Sequence, residues 1–214
     1  MMLRYKLVSL LFLLLISRTT LAGIITIDYD VQDIWWLNGQ AKTNNTELTT
    51  DDVNISDSRI GVMFTDLSSL EGYQIQSAEL QMYRYIGGFL PNDMTINLFN
   101  ITESWSETSV VPSFDDYAVT SLTFGVNEAR GWHLWNITEL VQGWLFEEVI
   151  NNGVMLAGSG ENRFQKFYSS EKVGFSPKLV INVVDVPEPS TWVLMILCLL
   201  FFYIENRKQK AENK

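Results

Sequence analysis

The stretch Ser77-Ala78-Glu79-Leu80-Gln81-Met82-Tyr83 alternates: Ala78, Leu80 and Met82 are each followed by Glu79, Gln81 or Tyr83. Successive side chains of a β-strand point to opposite faces, so a period of two marks a strand with one buried face. The same period runs through Met94, Ile96 and Leu98, with Thr95 and Asn97 between them, and through Leu179, Ile181 and Val183, with Val180 and Asn182 between. Runs at 24–29, 59–64, 119–124, 132–135, 154–157 and 164–168 are further expected strands. Gly87-Gly88 and Asn151-Asn152-Gly153 supply turns. Many short strands separated by turn residues predict an all-β chain folded as a jelly-roll-like β-sandwich. Residues 38–58 are polar, rich in Thr and Asn, and read as a long loop or an irregular edge.

One helix interrupts the strands. Ile137, Leu140, Val141, Trp144 and Leu145 fall at i, i+3, i+4, i+7 and i+8, a single apolar stripe. Asn136 is a favoured N-cap, and Glu139 completes a capping-box pattern. Glu147 and Glu148 oppose the helix dipole at its far end, so the helix is expected to stop near Phe146 and to plug one end of the sandwich.

The chain ends are of a different kind. Arg4 and Lys6 precede the apolar run 7–16, and Thr20-Leu21-Ala22 offers small residues for cleavage, so residues 1–22 read as a secretory signal peptide. The tail, VPEPSTWVLMILCLLFFYIENRKQKAENK (186–214), holds the triplet Pro187, Glu188 and Pro189, an apolar run at 192–204, and then Arg207, Lys208 and Lys210. With Ser190 and Thr191 the run makes a short transmembrane segment, 190–204, whose basic end stays cytoplasmic by the positive-inside bias. This order closely resembles the PEP-CTERM sorting signal of Gram-negative bacteria. The resemblance implies an exosortase partner that recognises Pro187-Glu188-Pro189, a transient anchor in the inner membrane, and delivery to the cell surface or beyond.

Between these segments lie residues 23–186, enough for one domain with a sizeable core. The terminal segments hold seven of the 15 bases and three of the 25 acids, so residues 23–186 carry 22 acids against 8 bases, a net charge of −14. That charge favours solubility outside the cell and argues against nucleic acid as a partner. The only cysteine, Cys198, lies in the apolar tail, so the exported domain has no disulfide, thiolate nucleophile or cysteine-ligated metal. Its stability must come from packing.

The middle of the chain carries a second resemblance. Residues 77–83, Trp105-Ser106-Glu107, the helix segment Asn136 to Trp144, Asn151-Asn152-Gly153, Phe167-Tyr168-Ser169-Ser170-Glu171 and Ser176-Pro177-Lys178-Leu179 occur in the order of the DNRLRE-type domain. That domain is an extracellular β-sandwich found on surface and polysaccharide-associated proteins, and some relatives bind carbohydrate. The resemblance runs from about Arg59 to Val183. Residues 23–58 depart from its pattern, and the matched residues are architectural.

Catalytic chemistry has weak support. The single His133 sits between Trp132 and Leu134 in an expected strand, with no serine elbow or second histidine. The paired acids Glu103/Glu107, Asp115/Asp116 and Glu147/Glu148 could in principle cleave a glycoside, but solvated carboxylates are the default in an acidic surface. No cofactor is expected, with calcium at Asp28, Asp30 and Asp33 as the one metal alternative. Sugar rings stack on aromatic faces, and the adjacent Trp35 and Trp36 would point to opposite sides of an extended segment, one into the core and one outward. Trp105, Trp132 and Trp135 are further candidates. The reading is of an exported, non-enzymatic protein that binds or organises exopolysaccharide in a biofilm or floc matrix. The alternatives are a structural matrix protein without a ligand and a polysaccharide-degrading enzyme.

Overall fold

The structure is a computed structural model that describes residues 22–42, 46–53, 56–87, 93–125, 129–159 and 163–185, with Leu200 and Tyr203 of the tail. The signal peptide up to Leu21, the triplet Pro187-Glu188-Pro189 and the rest of the run 190–204 lie outside the described residues. Among the described residues no helix is long and apolar enough to cross a membrane.

Ala22–Val184 form one compact unit. Its strands are β1 (Ala22–Ile27), β2 (Val31–Leu37), β3 (Gln40–Lys42), β4 (Glu47–Val53), β5 (Ser56–Phe64), β6 (Tyr73–Gly87), β7 (Met94–Asn100), β8 (Thr120–Phe124), β9 (Gly131–Asn136), β10 (Val154–Ser159), β11 (Arg163–Tyr168) and β12 (Lys178–Asp185), with one helix, α1 (Thr138–Leu145). The chain is an all-β sandwich. The ladder runs β1-β12-β6-β11-β4-β5-β10-β7-β8, with β9 on β6 and β2 on β5. It curls so that β6, β11 and β12 face β5, β10 and β7 across the main core. Ala78, Leu80 and Met82 come from β6, Leu179, Ile181 and Val183 from β12, Ile60, Val62 and Phe64 from β5, and Met94, Ile96 and Leu98 from β7. The alternation read in the sequence is therefore the inward phase of these strands.

The polar segment 38–58 is not a loop. It contains β3 and β4, and β4 pairs with β11 along Glu47–Asp52 and with β5 at Asp51, Asp52 and Val53. β4 is thus the joint at which one layer passes into the other. Its inward Thr50 is fully buried, donates to the Ser58 carbonyl at 3.2 Å and accepts from the Gly158 N–H at 2.9 Å. Hydrogen bonds fix this strand where hydrophobic alternation fixes the others, and β-branched threonine suits the extended backbone.

A second apolar layer lies on the other side of β2 and β10. Ile34, Trp36 and Met155 pack there with Ile101 and Trp105 of the long β7–β8 connection. The Trp36 indole donates to the Ser109 carbonyl at 2.8 Å, and that of Trp105 to the Asn152 carbonyl at 2.7 Å. The two rings meet edge to face at 5.6 Å. Gly61 makes room for this, because a Cβ there would lie 2.5 Å from the Trp36 ring.

α1 ends at Leu145, with Phe146 as its C-cap, and adds Leu140, Val141 and Trp144 to the main core. The N-cap position falls on Ile137, not on the expected Asn136, and no capping box with Glu139 forms, because Asn136 is the last residue of β9 and its side chain is taken up by Thr138. The Asn136 side-chain Oδ1 accepts from both the Thr138 N–H (3.0 Å) and the Thr138 hydroxyl (2.8 Å), and the Thr138 hydroxyl oxygen accepts from Ala78 N–H (3.0 Å). The helix start is thereby tied to β6. Asn136→Ala should lower stability by about 1–2 kcal/mol in urea denaturation, whereas Asn136→Asp, which keeps the acceptor, should cost far less.

Candidate carbohydrate-binding face

β6 alternates buried and half-buried residues along its length. Its outward phase carries Tyr83 and Tyr85 where most of the phase is polar. Neighbouring elements add rings to the same surface: Trp132 from β9, in register with Tyr83, Tyr168 from the end of β11, and Phe175 from the β11–β12 connection. Tyr85 stacks on Tyr168 at 4.5 Å with the rings 9° apart, and Tyr83 lies 5.8 Å from Tyr168 at 17°. Trp132 and Phe175 meet Tyr83 edge-on at 5.5 and 4.5 Å. All five are half-buried, so the rings hold one another in place and still reach solvent.

Cations stand among the rings. Lys178 Nζ is 3.7 Å from the Trp132 ring centre, and Lys172 Nζ is 5.3 Å from that of Tyr168. Lys166, outward on β11, pairs with Glu47 at 3.4 Å. Three of the eight bases of residues 23–186 are therefore on this surface. Burial, with the Glu47 carboxylate as a lesser cause, holds the Tyr85 phenol well above its ordinary range, so it stays neutral. Farther along β6 and β12 is an open hollow of about 370 Å³, lined by Ile24, Gln76, Ser77 and Asn182 among others, with Asn182 Nδ2 donating to Ser77 Oγ at 2.7 Å. Lys178 and Asn182 share the outward phase of β12, so rings and hollow lie on one face. Flat apolar rings with amide, hydroxyl and ammonium groups beside them are the equipment for holding a sugar chain by its ring faces and its hydroxyls.

Residues 31–183 match carbohydrate-binding module family 96. The chain belongs to this family. The match covers β2 to β12, and so takes in residues 31–58, which the sequence reading set apart, as well as the span from Arg59 to Val183. No curated protein matches the chain. A carbohydrate-binding module is a non-catalytic domain. In this family 96 module Glu103, Glu107, Asp115, Asp116, Glu147 and Glu148 are all exposed, with Glu103 accepting from the Ser113 N–H and hydroxyl and Asp115 from Asn100 Nδ2. His133 packs its ring 4.8 Å from Phe124.

The residues singled out from sequence are placed differently from the aromatic face of the module. Trp36 is 0% exposed and offers no ring face to solvent. The expectation that one of the pair would point outward fails at Trp36 because the β7–β8 connection covers it. Trp35 is half-buried against the main core. Of the other described tryptophans, Trp105, Trp135 and Trp144 are buried, and Trp132 joins the face. Asp28 and Asp30 are exposed in the β1–β2 turn, whereas Asp33 is 5% exposed and accepts from the Ser170 N–H at 2.6 Å. Asp28, Asp30 and Asp33 are thus not brought together, and among the described residues no group of three His, Cys, Asp or Glu could hold a metal.

Burial pushes the Asp33 carboxyl from 3.8 up to about 7, opposed by the Ser170 hydrogen bond and aided by Glu171 and Glu107. The folded value lies above the unfolded one, so folding favours the neutral acid. Its stabilising contribution is complete below about pH 4 and is lost as pH rises through 7. Asp33→Asn, which keeps an acceptor for Ser170, should therefore be more stable than the parent at pH 8, by on the order of 4 kcal/mol, and should match it at pH 4. Thermal melts across that range check the difference.

Proposed function

We propose that the chain is an exported, non-catalytic polysaccharide-binding protein that holds its ligand on the aromatic face of Tyr83, Tyr85, Trp132 and Tyr168. The observation that carries this reading is the half-buried ring cluster, interleaved with lysines, on the outer sheet of a family 96 module. The lysines stand out in a domain of net charge −14 and favour acidic over neutral chains. The proposal extends to the tail: exosortase recognises Pro187-Glu188-Pro189, cuts the chain from its inner-membrane anchor, and releases the module to the surface or matrix of a Gram-negative bacterium. There it binds or organises exopolysaccharide of a biofilm or floc.

Affinity electrophoresis of the protein through gels containing neutral or acidic polysaccharides, including that of the producing cells, tests the binding. Retardation by an acidic polysaccharide, with and without calcium, is expected. Unretarded migration in every gel would overturn it. Sorting is tested separately by following the size of the chain in cells: Pro187→Ala with Glu188→Ala should leave an uncut, anchored precursor, and unchanged processing would remove exosortase from the account.

A further inference from the structure

Arg163 opens β11 on the inward phase that it shares with Gln165 and Phe167, and it is 0% exposed. Among the described residues its Nε, Nη1 and Nη2 atoms have no hydrogen-bond partner. A guanidinium has five N–H donors and remains charged under all folding conditions. Leaving such a charge dry and unpaired is costly, and native interiors compensate buried charges with a counter-charge or a bound ion. The neighbouring polar groups on the inner surface are already engaged. Gln165 Oε1 accepts from Arg84 Nε at 2.5 Å, and Thr50, opposite Gln165 in the β4–β11 register, is bonded to Ser58 and Gly158. Among the described side chains, the cluster is thus rich in donors around a cation with no acceptor, and Asp52, opposite Arg163 in the register, is the acidic residue of the chain placed beside it.

We propose that Arg163 holds a small monovalent anion inside the sandwich, enclosed as the domain folds. A halide and a small carboxylate share the required chemistry: one negative charge, compact size and acceptor capacity for several N–H groups. The site is separate from the carbohydrate face, since Lys166 and Tyr168 occupy the outward phase of the same strand.

The test is the thermal midpoint of the full-length protein, refolded at constant ionic strength with chloride, bromide or formate substituted for a bulky sulfonate. A saturable rise on the order of 5 °C is expected with the anion that fits, and the better of the halide and formate series identifies it. Arg163→Met removes the charge without opening the core, so it should fold and melt at one temperature in all the salts. A bromide-grown crystal should show anomalous density beside the guanidinium. Asp52 stands opposite Arg163 in the register and separates a chain counter-charge from a solute one. An anion response that survives Asp52→Asn supports the proposal. It is overturned by equal midpoints in every salt, by a response that persists in Arg163→Met, or by a crystal with a carboxylate of the chain on Arg163.

Discussion

Trp132→Ala should weaken polysaccharide binding about ten- to a hundredfold, which corresponds to roughly 1.4–2.8 kcal/mol. The indole stands on β9 with one edge against Tyr83 and Lys178 over its face. Removing it deletes a stacking surface and releases the lysine that it positions, so apolar contact and local charge change together. Trp132 is half-buried, and its loss also costs some stability. Leu145→Ala provides the comparison: Leu145 is half-buried on α1, packed against the main core, and should lose similar stability with no change in binding. Titration calorimetry with an oligosaccharide of the retarding polymer, beside a melt of each variant, separates the two effects. If Trp132→Ala binds like the parent, the face is not the binding surface.

Gly153→Ala should cost 3 kcal/mol or more, in the range reached only when a specific structural device is broken. Gly153 has φ +77°, and a Cβ on it would stand 2.3 Å from the Val62 carbonyl oxygen and 2.9 Å from the Met63 Cα. Those are backbone atoms of β5, so relief requires moving the β5–β10 ladder, which begins at Val154↔Val62. The turn is anchored further by Asn151, whose Nδ2 donates to the Phe64 carbonyl and whose Oδ1 accepts from Gly153 N–H. Gly72→Ala separates strain from collision. Gly72 has φ +81° but open space around it, so it should cost only the left-handed penalty of about 1–2 kcal/mol. Equal midpoints for the two variants in denaturant would refute the collision.

The contrast between these positions explains what could be read in advance. β6, β7 and β12 were legible because their inward residues are aliphatic and their outward ones mostly polar. β4 was not, because its buried positions include Thr49 and Thr50, and a hydroxyl engaged with a carbonyl of the neighbouring strand leaves no trace in hydropathy. The helix was legible to within a residue or two from its stripe and from Asn136. Trp35 and Trp36 do face opposite sides, as extended backbone requires. That both sides are covered depends on the β7–β8 connection folding back through Ser109 and Trp105, a long-range contact with no local signal. The aromatic face was half visible. Tyr83 lay on the outward phase of a recognised strand, but its grouping with Trp132, Tyr168 and Phe175 needed the register of β9 and β11 on β6.

The position of β12 has a mechanical consequence. This last strand lies between β1 and β6 instead of at an edge, and the chain leaves it at Asp185. A pull entering there strains two ladders lengthwise, so their bonds share the load and must fail together, where an edge strand would peel one bond at a time. β6, the other end of that connection, carries Tyr83 and Tyr85. Tension between the tail and a gripped polymer would cross the sheet in shear, the direction in which a β-ladder resists most strongly.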